Sequence, residues 1–172
     1  MGNFISTVDV NHIRQENKIF RVRAESVADL EIVSSMLQDS IVPVGDIKYI
    51  PSQKRFFMVC QRFCWELMED PKYNNEVPNE PRSQKSHELE IYQRCLCALV
   101  FDEINFVRTK GLNLNNRKQY LNFLAFNLEN DCLDLVFSGD KTIRLEMNNV
   151  SLRAEDIGQS WPTSACPEHR ND

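Results

Sequence analysis

The sequence predicts an α+β protein that is mostly antiparallel β, with one helix before the strands and a short helix after them. Apolar residues keep a helical period at residues 27–39. From residue 41 they alternate with a period of two through about seven strands, and the helical period returns near residue 150. This order of elements is typical of a pleckstrin-homology-like barrel closed by a terminal helix, so that is the architecture we expect first.

The first two elements are a strand and a helix. "KIFRVRA" (18–24) alternates apolar and polar residues, as a half-buried strand does. Ser26, followed three residues later by Asp29, forms a capping-box helix start. The apolar residues that follow keep helical spacing: Leu30, Val33 and Leu37. We therefore place the N-terminal helix at about 27–39.

The next segments alternate around a tight turn. "IVPVGDIKYI" (41–50) precedes "PSQK", whose proline and short polar residues are typical of a turn. "RFFMVCQRFCWE" (55–66) follows as a long strand. Both of its faces are largely apolar, which predicts a central strand that is covered on both sides.

The second half of the chain contains the clearest strand signals. Residues 88–112 are too long for one flat strand, so we predict two strands with a bend near 101–103. Another strand covers 119–130, and residues 133–147 form a hairpin whose turn contains Gly139. The last periodic segment predicts the short C-terminal helix, from the spacing of Val150, Ala154 and Ile157 before Gly158.

The chain is organised as one domain. Its 172 residues can bury roughly 70% of the unfolded surface, which is enough for a core without disulfides or metal. We predict a flexible extension at 1–17, a single domain at 18–160 and a polar tail at 161–172. Three prolines and several asparagines predict a long exposed loop at 68–87 inside the domain.

Charge and composition exclude several classes of partner. The formal net charge is -5, and the longest basic runs are pairs of residues, which argues against nucleic-acid binding. No apolar stretch approaches the ~20 residues that cross a bilayer, so we expect no membrane partner. Without a secretory signal, the six cysteines are expected to be reduced thiols in the cytoplasm.

No catalytic constellation is visible. His12, His87 and His169 fall in the predicted extension, loop and tail, where no histidine would be held in place as a base. The chain has no Walker motif, no nucleophile elbow and only five glycines. We therefore predict no catalytic residues and no cofactor.

The cysteines do not have the spacing of a metal site. Cys60 and Cys64 would lie about 13 Å apart on a strand, too far for one ion. Cys95 and Cys97 share a strand face but are also too widely spaced for zinc. We predict no metal and assign these thiols to the core. A weaker alternative, a thiol-based metal or redox protein, would need Cys60 beside Cys95 or Cys97, with a histidine or acid completing the shell.

Five residues form the candidate binding set: Asp46, Arg55, Arg62, Trp65 and Asp102. An arginine beside a tryptophan can anchor a carboxylate or a phosphate, although such an arginine more often pairs with an acid on a neighbouring strand. Two functions follow. The first is a non-enzymatic binding or scaffold module with an unidentified protein partner. The alternative is a small-molecule-binding protein or enzyme whose pocket is lined by Arg55 or Arg62 together with Trp65 and Asp46, with or without Asp102.

Three segments together resemble one protein family. They are "LEIVSSMLQDSIVPVGDIKYIPSQKRFFMVCQRFCWE", "ALVFDEINFVRTKGL" and "LVFSGDKTIRLEMNNVSLRAEDIGQSW". They are similar to the motifs of the 2948 family of domains of unknown function, small proteins of alphaproteobacteria, over about residues 19–165. Asn148 and Asn149 depart from the acidic pair of that pattern, and the thiol pairs lie outside it. The resemblance implies a bacterial cytoplasm and supplies no activity.

Overall fold

A computed structural model describes residues 20–68 and 92–164. This part of the chain contains ten strands and two α-helices. Their bounds are β1 (Arg21–Ala24), α1 (Val27–Leu37), β2 (Ile41–Pro43), β3 (Ile47–Ile50), β4 (Arg55–Phe63), α2 (Trp65–Met68), β5 (Tyr92–Phe101), β6 (Ile104–Lys110), β7 (Tyr120–Glu129), β8 (Cys132–Phe137), β9 (Lys141–Met147) and β10 (Leu152–Thr163). The predicted extension at 1–17 and most of the predicted loop at 68–87 lie outside the described residues.

The ten strands form one antiparallel sheet. Its order is β1-β10-β5-β4-β2-β7-β8-β9-β6, and β3 pairs with β4 beside this path. Among the described strands, β1 and β6 end the path and are not paired with each other, so the sheet is open. The α+β class and the antiparallel strands are therefore confirmed, but the pleckstrin-homology-like barrel is not.

The strand count differs from the predicted seven for three reasons. The segment at 41–50 is two strands, because a 3-10 turn at Val44–Asp46 separates β2 from β3. The strand before the helix joins the sheet as β1. The third addition, β10, replaces the predicted C-terminal helix.

The prediction of a C-terminal helix is wrong, because residues 152–163 form the longest strand in the described part of the chain. β10 pairs with β1 on one side and with β5 on the other, and these pairings override a weak local helical signal. Gly158 does not end a helix. It has a φ of 85° and lies where the register with β5 shifts, as in a β-bulge. The predicted polar tail at 161–172 therefore begins inside a strand.

The predicted N-terminal helix is confirmed as α1, which ends two residues earlier than predicted. Ser26 caps it, since the Ser26 hydroxyl accepts a hydrogen bond from the Asp29 amide while the Asp29 carboxylate accepts one from the Ser26 amide. The buried side chains of the helix are the three predicted from its spacing: Leu30, Val33 and Leu37.

Replacing Ser26 by alanine should lower the free energy of unfolding by about 1 kcal/mol, because the substitution leaves the Asp29 amide without its hydroxyl acceptor. Ser35→Ala is the matched control. Ser35 also lies in an exposed part of α1, but its hydroxyl donates to the Ile32 carbonyl oxygen within the helix. Urea titration of both variants measures the difference. Equal losses would show that the capping box does not contribute to stability.

One apolar core extends through the whole sheet. The buried apolar side chains of α1 and of strands from both ends of the sheet form a single cluster, so the sheet curves around it. Edge-to-face rings join its two halves: Phe56 with Phe101 at 5.8 Å between centroids, and Phe101 with Phe126 at 6.0 Å. The alternation along β4 and β5 therefore defines a core face and an opposite, outer face.

Candidate functional site

The five predicted binding residues lie in three separate places. Arg55 and Asp102 meet at one end of β4 and β5. Arg62 and Trp65 lie at the other end, roughly 23 Å along the strand from Arg55. Asp46 is exposed in the turn between β2 and β3. The structure thus brings Arg55 to Asp102 and does not gather all five residues around one cleft.

Arg55 and Asp102 belong to a three-membered ion cluster at the surface. Asp102 Oδ1 accepts from Arg55 Nε at 2.6 Å, and its Oδ2 accepts from Arg153 Nη2 at 2.9 Å. Both arginine side chains are about half exposed, so each pair contributes only ~0–1 kcal/mol to stability. The cluster leaves two partly hydrated guanidinium groups at the edge of the outer face.

Arg62 is fully buried, and the protein satisfies all of its donors. Asp156 accepts from Nε at 2.7 Å and from Nη2 at 2.6 Å. Glu66 accepts from Nη2 at 2.6 Å and from Nη1 at 3.0 Å, and the Phe63 carbonyl oxygen accepts from Nη1 at 2.9 Å. A guanidinium has five N–H groups, so none remains to anchor a ligand.

Two carboxylates hold the charge of Arg62 in place. Burial disfavours the charged form, but the hydrogen bonds to Asp156 and Glu66 outweigh this and raise the pKa of Arg62 above its ordinary value. The Arg62 guanidinium also stacks 4.5 Å from the ring centroid of Phe20, whose amide and carbonyl both bond to Asp156. The network therefore ties β4, β10, α2 and the start of β1 together.

The structure explains why β4 ends before the predicted residue 66. After Phe63 the chain turns into the short helix α2, which returns Glu66 to Arg62 four residues earlier in the sequence. The Trp65 ring packs on Phe63 with 5.2 Å between centroids. Within residues 20–68 and 92–164, no group accepts a hydrogen bond from its buried indole Nε1. Trp65 thus contributes to packing at this end of the sheet.

A second buried arginine, Arg94, lies on the opposite side of the same strand pair. Its guanidinium carbon is 3.6 Å from the Phe63 ring centroid, and its Nη1 donates to the Gln61 carbonyl oxygen at 2.8 Å. Burial lowers the pKa of Arg94, and the nearby Asp39 charge opposes that shift. Sequence reasoning missed both Arg94 and Asp156. A single cation inside the apolar run "YQRCLCALVF" is the signal that could have found Arg94.

Four thiols surround Arg62 on the core face. Cys60 lies directly opposite Cys97, and Arg62 directly opposite Cys95. The Cys60 side chain raises the pKa of Cys97, the Cys64 side chain raises the pKa of Cys95, and burial acts in the same direction on both thiols. The thiol-based alternative required Cys60 beside Cys95 or Cys97, and the register places Cys60 beside Cys97. However, residues 20–68 and 92–164 contain no group of three histidine, cysteine or acidic side chains that could hold a metal. Cys166 and the three histidines lie outside the described residues.

The outer face of β4 and β5 is apolar at its centre. Alternation along these strands turns five half-buried apolar side chains away from the core: Phe57, Val59, Leu96, Ala98 and Val100. We call this set the apolar centre. The strand register places six charged side chains around it: Arg21, Arg23, Lys48, Arg55, Arg153 and Glu155. Asp102 joins this rim through its ion pairs with Arg55 and Arg153. We call the apolar centre and this rim together the outer face.

Comparison with protein families gives one match. A family model described as "Protein of unknown function (DUF2948)" matches residues 20–169, which is most of the chain. The chain belongs to the DUF2948 family. The resemblance predicted from the three sequence segments is confirmed to that extent, and the alphaproteobacterial origin is not shown.

Neither a curated protein nor a solved structure matches this DUF2948 chain. In residues 20–68 and 92–164, no helix is long and apolar enough to cross a membrane. Several positions in the motifs of the resemblance have structural roles in the described residues. Arg62 carries the buried ion network, Gly111 packs against the β8–β9 turn, and Gly139 takes the positive φ of that turn.

Proposed function

We propose that the protein is a non-enzymatic binding module that docks an acidic partner protein on the outer face. The apolar centre is the observation that carries this proposal. A sheet with one face in water normally alternates apolar and polar residues, but β4 and β5 present apolar side chains on both faces. Contiguous apolar surface rimmed by polar residues marks interaction sites in soluble proteins.

The charges of the rim indicate the sign of the charge that a partner surface should carry. Five of the rim side chains are basic and two are acidic, a surplus of three positive charges. The chain as a whole carries a formal net charge of -5. The outer face therefore carries a net positive charge, whereas the chain as a whole carries a net negative charge. A partner surface with an apolar centre and an acidic rim complements the outer face.

The arrangement of the rim favours a protein over a nucleic acid. Four of the five rim cations already have an acidic neighbour: Glu155 for Arg21, Glu25 for Arg23, and Asp102 for both Arg55 and Arg153. These cations are therefore partly neutralised. The apolar centre consists of aliphatic side chains and one phenylalanine, a surface that offers area for apolar contact and few rings for base stacking.

A cytoplasmic setting is part of the proposal, since the five cysteines in the described residues are free thiols.

The alternative function, a small-molecule site lined by the five predicted residues, has weaker support. All N–H groups of Arg62 are bonded within the protein, and Arg55 with Asp102 lies at the far end of the strand. A ligand would have to break the buried network to use Arg62. No step of catalysis is therefore proposed.

Photo-crosslinking tests the docking face directly. A benzophenone amino acid replaces Val59 in the apolar centre, and Val136 is the matched control because it is a half-buried, outward-facing valine on β8. In the cells that make the protein, the Val59 probe should form a discrete protein adduct that the Val136 probe does not form. Equal adducts at both sites, no adduct, or adducts only to nucleic acid or lipid would overturn the proposal.

Charge reversal then tests whether the rim contributes to binding, with the purified partner protein that crosslinking has identified. Arg153→Glu should weaken binding about tenfold or more, because it places a like charge opposite an acidic rim. Arg144→Glu is the control, since Arg144 is equally exposed but lies on β9 and pairs with Asp134. Titration calorimetry at two salt concentrations measures both variants. Equal weakening would show that the partner binds without using the rim of the outer face.

A further inference from the structure

We propose that Arg94 is the anchor of a subsite that binds a carboxylate group beside the outer face. Arg94 and Leu96 lie two positions apart on β5, so the side chain of Arg94 is on the same side of the sheet as the apolar centre. Arg94 is only 8% exposed, and Arg62 is the other buried cation in the described residues. The two differ in how their charge is compensated.

The donors of Arg94 are used much less than those of Arg62. In the described residues, the hydrogen bond of Arg94 runs from Nη1 to a neutral acceptor, the Gln61 carbonyl oxygen, at 2.8 Å. Its guanidinium carbon lies 3.6 Å from the Phe63 ring centroid, so stacking occupies a face of the guanidinium and leaves the N–H groups at its edge. A buried cation is costly without a counter-charge, and a guanidinium edge can bind both oxygens of a carboxylate.

Aromatic side chains surround this guanidinium. The Phe63 ring lies 5.2 Å from the Trp65 ring and 6.4 Å from the Tyr92 ring, measured between centroids. Trp65 also brings a second donor, because its buried indole Nε1 has no acceptor in the part of the chain that the structure describes. Two donors with unused capacity are therefore held against one ring, Phe63.

An irregularity in β10 adds a further ring. Between Ile157 and Trp161 the chain of β10 advances four positions, while β5 advances only two, from Leu96 to Arg94. The extra residues place Trp161 directly opposite Arg94 in the register. Bulges of this kind occur often beside functional sites, where they redirect a side chain.

The charge balance favours a monoanion. Arg94 supplies one positive charge, and the negative charge of Asp39 already acts on it. A phosphate dianion would exceed that single charge in surroundings that solvate charge poorly. A carboxylate attached to an apolar or aromatic group carries one charge and can pack against the rings.

NMR titration of the full chain with sodium benzoate tests the subsite. The Arg94 Nε–Hε signal and the indole signal of Trp65 or Trp161 should shift and saturate. Benzamide is the neutral control of the same shape, and it should bind about tenfold more weakly or worse because it cannot accept a charge-assisted hydrogen bond. Inorganic phosphate should leave these signals in place.

Variants locate the bound group. Arg94→Gln should abolish the benzoate-induced shift of the indole signal, whereas Arg153→Gln, in the rim of the outer face, should not change it. Arg94→Lys serves if Arg94→Gln does not fold, since it keeps the charge but loses the planar fork and should bind benzoate more weakly. Unchanged binding in the Arg94 variants, equal binding of benzoate and benzamide, or tighter binding of phosphate would overturn the proposal.

A second carboxylate distinguishes the sources of the bound group. Acetyl-glutamyl-amide presents the acid of a protein side chain. If it shifts the Arg94 signal as strongly as benzoate does, the subsite takes an acidic side chain of a protein. A response to benzoate alone indicates a free aromatic acid. No shift at Arg94 with either compound would show that there is no carboxylate subsite, whether or not the outer face docks a partner.

Discussion

Replacement of Arg62 by methionine is expected to lower the free energy of unfolding by about 3–5 kcal/mol. In the described residues, Arg62 is the cation that pairs with both Glu66 and Asp156, and the substitution removes it. Asp156 and Glu66 would then face each other across a buried apolar side chain. Their combined four hydrogen bonds to the guanidinium would also be lost. Such a loss is a large part of the stability of a domain this size.

Arg144→Met is the control for that experiment. Arg144 makes an equally short bidentate pair, with both bonds to Asp134 at 2.6 Å, but its side chain is 49% exposed, whereas that of Arg62 is 0% exposed. Its removal should cost only ~0–1 kcal/mol. Urea titration with two probes measures both variants. If the two losses are equal, burial does not set the strength of the Arg62 network.

A triple variant tests the stated reason for the loss. Arg62→Met combined with Glu66→Gln and Asp156→Asn removes all three charges and leaves no unpaired carboxylate. It should recover a substantial part of the stability lost in Arg62→Met alone, because the main cost is the orphaned charge. A triple variant that is no more stable than Arg62→Met would contradict this reason and leave packing as the cause.

The parts of the fold that were predicted correctly depend on residues close together in the sequence. Ser26 and Asp29 are three residues apart, so the helix cap could be identified before the structure was known. The β8–β9 hairpin likewise needs only a turn with Gly139 between two alternating segments. Local signals of this kind do not depend on what the rest of the chain does.

The parts that were not predicted depend on remote partners. Arg62 and Asp156 are 94 residues apart, and neither strand alone indicates that they meet. β10 was expected to be a helix because its apolar spacing fits both periods, and its pairing with β5 decided between them. The same limit applies to the candidate site, since only the register shows that Arg55 joins Asp102 and Arg62 does not.

The outer face shows how one sequence feature supports two interpretations. The two apolar faces of β4 predicted a central strand covered on both sides. The structure assigns Phe56 and Met58 to the core and Phe57 and Val59 to the opposite face. Only the register with β5 and β10 shows that the second face has a charged rim. Because charged residues surround the second apolar face, we interpret that face as a binding surface and not as part of the core.

The Gly111 position, just after β6, should tolerate no side chain. Its φ is 70°, and a Cβ atom would lie 2.4 Å from the Asp140 carbonyl oxygen, which belongs to the β8–β9 turn. The neighbouring atom is backbone, so it cannot rotate away. Strain in the left-handed region and overpacking together predict that Gly111→Ala lowers the free energy of unfolding by about 2–5 kcal/mol.

Gly158→Ala separates the two contributions to that loss. Gly158 has a φ of 85° but no atom within 4 Å of the added Cβ, so only the backbone strain applies. Its loss should be about 1–2 kcal/mol. Thermal and urea unfolding of the two variants in parallel measure the difference, which is the cost of pushing β6 away from the β8–β9 turn. Equal losses would mean that this turn moves freely, and that β6 is held in the sheet by its strand pairing with β9 alone.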